Sequence, residues 1–79
     1  MKTMRAKFKV DSVTTNEHSE VLNFSAVCGK FNEDGASEDN TFARWTPTAS
    51  LSMRITNPDL RGAIKPGQVF YVDFTPANG

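Results

Sequence analysis

The chain has one cysteine and one histidine among its 79 residues. That excludes an intrachain disulfide framework, and it excludes a zinc site closed by Cys and His. A lone thiol suits a reducing compartment. No apolar run approaches the roughly 20 residues that a membrane-spanning helix needs, so no membrane role is expected. The basic start, Met-Lys-Thr-Met-Arg-Ala-Lys, leads into alternation and not into an apolar stretch. This argues against a secretory signal, and Met4 offers a second start that would leave residues 1–3 dispensable. The glycines at 29, 35, 62 and 67 are isolated turn residues, so neither a phosphate loop nor a dinucleotide fingerprint is present. Helical periodicity never runs beyond about one turn. Acidic and basic side chains balance at nine each. Attraction to nucleic acid or an anionic membrane would therefore have to come from a patch.

What the chain does have is period-two alternation. Lys7-Phe8-Lys9-Val10 puts two lysines on one face and two apolar groups on the other, within a predicted first strand over 5–14. Residues 15–19 hold no apolar side chain and read as a turn. The second strand, 21–31, places Leu22, Phe24, Ala26 and Cys28 together, and the short connection makes the pair an antiparallel hairpin. Residues 32–40 are acidic and glycine-containing, an exposed loop with a turn at Asp34-Gly35. Phe42 and Trp45 suggest a short third strand over 41–45, broken by Pro47. The fourth strand, 49–56, turns Leu51, Met53 and Ile55 inward and Ser50, Ser52 and Arg54 outward. Asn57-Pro58 caps a single helical turn. Pro66-Gly67 occupies the centre of a type II turn. The fifth strand, 69–74, sets Phe70, Val72 and Phe74 on one face and Val69, Tyr71 and Asp73 on the other.

Five short strands and at most one helical turn predict an all-β single domain spanning 1–79. The expected architecture is a small antiparallel barrel or sandwich, OB-like or SH3-like. A chain of this size buries only about 60% of its unfolded surface. A homodimer, paired through the first or the fifth strand, would enlarge its core.

Few residues suggest chemistry. Cys28 shares a face with Leu22 and Phe24, where a buried thiol behaves as a small hydrophobe. His18 lies in a polar turn, so a Cys–His dyad has no support. Glu33, Asp34, Glu38 and Asp39 are hard oxygen ligands whose spacing matches no calcium loop, and a solvated loop is the favoured reading. No catalytic residue, metal ligand or cofactor site is expected. Lys7 and Lys9 read as guards against edge pairing, with phosphate contact as the alternative. The remaining group is basic and aromatic: Arg44, Trp45, Arg54 and Tyr71. Aromatic rings stack on bases and arginine holds phosphate. If the fourth and fifth strands are neighbours, Arg54 and Tyr71 share a surface. Trp45 is read first as covering one end of the core.

The run 51–58, Leu-Ser-Met-Arg-Ile-Thr-Asn-Pro, and the run 65–76, Lys-Pro-Gly-Gln-Val-Phe-Tyr-Val-Asp-Phe-Thr-Pro, resemble small uncharacterised proteins of tailed bacteriophages. The opening 4–10, Met-Arg-Ala-Lys-Phe-Lys-Val, and 24–27, Phe-Ser-Ala-Val, fit the same resemblance. It implies a phage product made in the host bacterial cytoplasm and carries over no residue roles. The expected function is that of an accessory binding protein that blocks or sequesters a host factor, with a possible anti-defence role. Its partner would be a host protein or a small nucleotide, and Arg44, Trp45, Arg54 and Tyr71 would be the contacts. The alternatives are a single-stranded nucleic-acid binder, which zero net charge disfavours, and a virion decoration protein.

Overall fold

Alternation of apolar and polar side chains becomes four antiparallel strands. The computed structural model describes residues 4–27 and 40–77. Strand β1 is Met4–Thr15, β2 Glu20–Ala26, β3 Ser50–Ile55 and β4 Val69–Phe74, with a single 3-10 turn at Pro58–Leu60. They form one open sheet in the order β3-β2-β1-β4. The all-β antiparallel class is as expected, with four strands among the described residues in place of the five expected. The fourth predicted strand is β3 and the fifth is β4.

The β1–β2 hairpin closes where Asn16 N–H donates to the Ser19 carbonyl at 2.7 Å. Its register carries a feature that alternation alone does not reveal. Val10 faces Phe24, but Ser12 faces Asn23, so Asp11 is an extra residue on β1. This bulge inverts the parity of the strand. Phe8 and Val10 before it and Val13 after it therefore lie on the face of Leu22 and Phe24. The Asp11 carboxylate accepts from Ser25 Oγ at 3.0 Å on the opposite face.

Among the described residues the core is small: Ala6, Phe8, Val10, Leu22 and Phe24. The Phe8 and Phe24 rings meet edge to face, 6.3 Å between centroids at 72°, a geometry their quadrupoles favour. Leu22 has no exposed surface, and burial of such a side chain is worth about 1.5–3 kcal/mol. Glu20 shares this face, because it stands opposite Ile55, and it is buried. Its carboxylate accepts from Thr15 Oγ1 at 3.1 Å and from Gly62 N–H at 2.9 Å. Both oxygens are thus occupied, as a buried carboxylate requires.

Residues 41–45 are turns and bends, not the expected strand. β2 ends at Ala26, short of the first turns of β1, and chain from 40–41 takes its place along that edge. Lys7 N–H donates to Asn40 Oδ1 at 2.8 Å, and Asn40 Nδ2 donates to the Val27 carbonyl at 2.7 Å. Arg5 N–H donates to Thr41 Oγ1 at 2.8 Å, and its carbonyl accepts from Thr41 N–H at 2.9 Å. Side chains replace backbone partners here, so no ladder forms. Asn40 is 1% exposed. The residues 28–31 assigned to the second strand, Cys28 among them, lie outside the described residues. So do the acidic loop at Glu33, Asp34, Glu38 and Asp39 and the Asp34-Gly35 turn.

The two remaining turns form as expected. Asn57 Oδ1 accepts from Asp59 N–H at 3.0 Å and Pro58 opens the 3-10 turn. Gln68 N–H donates to the Lys65 carbonyl at 3.3 Å, with Gly67 at φ 88° supplying the left-handed position of the type II turn.

Strand order corrects two expectations. β1 lies between β2 and β4, so Lys7 and Lys9 guard no edge and β1 is not available to pair with a second copy. The edges are β3 and β4.

Candidate functional site

The sheet separates two surfaces. One carries the core residues and the apolar side chains of both edges. The other carries Arg5, Lys7 and Lys9 from β1, which stand opposite Asp73, Tyr71 and Val69 of β4. Cross-strand neighbours on one face lie about 4.5–5.5 Å apart, so the tyrosine ring stands among the cationic groups. The Arg5 guanidinium lies 4.6 Å from the Tyr71 ring centroid, and the Lys7 ammonium lies 5.8 Å from it. Both are within reach of the ring quadrupole. Asp73 holds Arg5 in place: Nε donates to Oδ1 at 2.7 Å and Nη2 to Oδ2 at 3.3 Å. This two-point pair is about half exposed on both sides and therefore contributes orientation more than stability. Tyr71 is 51% exposed.

The four residues singled out from sequence do not converge. Arg54 faces Val21, Val21 faces Thr14, and Tyr71 faces Lys7. Three strand spacings across the sheet and some seven residues along it put the two about 25 Å apart. The premise that their strands are neighbours fails because β3 and β4 are opposite edges. Arg54 instead braces the hairpin turn, donating from Nη1 to Ser19 Oγ at 2.9 Å. Arg44 and Trp45 lie in the bend that follows Thr41, and both are exposed. Trp45 is 58% exposed, so it does not cover an end of the core. It also adopts φ 63°, a left-handed conformation that costs a residue with a Cβ about 1–2 kcal/mol. Tyr71 stands in a cluster with Arg5 and Lys7. Its companions Arg5 and Lys7 were legible only as the polar half of an alternation.

At the far end of the molecule a hollow of about 330 Å³ lies between the hairpin turn and the 3-10 turn, lined in part by Glu17, His18 and Arg61. The Arg61 guanidinium donates to the Glu17 carbonyl at 2.9 Å and to the Asn16 carbonyl. It is committed to the fold. Across the apolar face runs a groove of about 480 Å³. Among the described residues, no group of three or more His, Cys, Asp or Glu is placed to hold a metal ion. Among them also, no helix is long and apolar enough to cross a membrane.

No protein-family model, no curated protein and no solved structure matches the chain.

Proposed function

We propose that this chain is a non-catalytic binding protein that sequesters a host factor, and that the factor is a small nucleotide held at Tyr71. The observation that carries the reading is the Tyr71 ring flanked by the Arg5 guanidinium and the Lys7 ammonium. A phenol ring presents a π-face to a base, and the cations present charge to phosphate. Lys9 lies next along the same row. Asp73 opposes an anion at the Arg5 end, which leaves Lys7 and Lys9 as the phosphate contacts. Zero net charge favours a small nucleotide over a long polyanion, since attraction to an anion has to come from a patch and not from the whole molecule. That the factor belongs to a bacterial host rests on the phage resemblance alone.

The test is calorimetric titration with the common nucleoside mono-, di- and triphosphates and with a short oligothymidylate. Base–aromatic stacking is worth about 1–3 kcal/mol, so Tyr71→Ala is expected to weaken a bound nucleotide about 10- to 100-fold. Lys7→Ala weakens it and flattens its salt dependence. Absence of binding to every probe, or an affinity unchanged in Tyr71→Ala, would refute the reading. Tighter binding of the oligonucleotide than of any mononucleotide would move the function to single-stranded nucleic acid.

A further inference from the structure

Among the described residues, the apolar face of the sheet is open where it should be covered. A sheet with one hydrophobic face is stable in water when that face packs on another layer. Here the described residues supply only part of one: Phe42, Ala49 and Ile64 pack against the core. Met4, Met53, Phe70 and Phe74 stay 41%, 46%, 36% and 48% exposed on this face. The groove runs from Leu51 and Met53 on edge β3 to Val72 and Phe74 on edge β4, and among the described residues its only polar lining residue is Ser50.

We propose that this face is the interface of a homodimer, in which two sheets pack face to face about a two-fold axis and enclose both grooves. Three observations favour a second copy as the occupant. The first is area. The four exposed side chains leave about 350 Å² of apolar surface, taking roughly 200 Å² for each whole side chain. The partly exposed Leu51, Phe42 and Val72 raise this to about 450 Å² per copy. Two copies therefore bury about 900 Å² of apolar surface, which at about 65% apolar corresponds to an interface of about 1,400 Å². That is the size of a stable dimer. The second is chemistry. Among the described residues the lining carries no charge, so these side chains laid against their own copies bring no like charges together, and the neutral chain adds no long-range repulsion. The third is placement. The apolar residues occupy both edges and the centre of one face, so a two-fold axis parallel to the strands lays edge β3 of one copy over edge β4 of the other. Met4 and Met53 are unbranched and fill the irregular space that remains. The polar face with Tyr71 then points outward on both sides of the dimer.

The experiment is sedimentation equilibrium and native mass spectrometry on the full chain, with three variants. Met53→Lys and Phe74→Lys place a charge on the apolar face at half-exposed positions. Val69→Lys places the same charge on the polar face of edge β4, where Val69 is 46% exposed. The wild type and Val69→Lys are expected to be dimers, and the two groove variants to remain folded by circular dichroism while self-association falls at least about tenfold. The wild-type melting temperature should rise with protein concentration, as it does only for an associating fold. That measurement decides the matter if either groove variant fails to fold. A wild type that stays monomeric, with a melting temperature flat over about a hundredfold range of concentration, overturns the proposal. So does a monomer carrying an apolar small molecule, which would make the groove a ligand site. A dimer lost in Val69→Lys and kept in Met53→Lys would place the contact at edge β4 and overturn it as well.

Discussion

Asn40→Ala tests how the irregular chain is held to the sheet. The carboxamide is 1% exposed and joins Lys7 N–H to the Val27 carbonyl, at 2.8 and 2.7 Å. Truncation removes both bonds at once. A hydrogen bond contributes about 1 kcal/mol net, and a buried group left without its partner costs about 1–3 kcal/mol. Partial access of water to the two backbone groups moderates this, giving a loss of about 2–3 kcal/mol. For 79 residues the unfolding entropy is about 170 cal/mol/K, so each kcal/mol lowers the melting temperature about 6 °C. The expected fall is therefore about 12–18 °C, read by circular dichroism at one fixed protein concentration. Asn40→Asp keeps the acceptor for Lys7 but turns an oxygen toward the Val27 carbonyl, and should lose at least as much. Amide exchange at Lys7 should accelerate in Asn40→Ala, which removes its acceptor. A fall of less than about 5 °C in Asn40→Ala would refute the role given to this side chain.

Four further outcomes follow from the geometry. Leu22→Ala, at a position with no exposed surface, should cost about 2–5 kcal/mol and leave the domain largely unfolded in a urea titration. Glu20→Ala should cost about 2 kcal/mol by the same assay, because it frees the Thr15 hydroxyl and Gly62 N–H bonded at 3.1 and 2.9 Å. Gly67→Ala meets nothing within 4 Å, so its cost is backbone strain alone at φ 88°, about 1–2 kcal/mol. Trp45→Gly removes an exposed ring from φ 63° and should leave thermal stability within about 1 kcal/mol of the wild type, whereas a Trp45 that covered the core would cost several.

Sequence alone determined the all-β class, the β1–β2 hairpin, the Asn57 cap and the Pro66-Gly67 turn. Each depends on contacts between residues close in the chain, or on a two-residue period that any sheet must respect. It also assigned the faces of β3 and β4, since an apolar and a polar set cannot exchange sides without a register slip. The tertiary structure decided the rest. Strand order is a long-range property, and nothing in the two edge strands states that two others lie between them; that order is what separates Arg54 from Tyr71. The bulge at Asp11 depends on a partner strand and leaves no mark in the alternation until Val13 has to face inward. Asn40 ends a stretch that reads as an exposed loop, and nothing in the chain singles out Glu20, because a polar side chain is buried only where distant backbone or hydroxyl groups arrive to satisfy it. The companions of Tyr71, finally, were set by the pairing of β1 with β4, which brought Arg5 and Lys7 from one end of the chain beside a ring from the other.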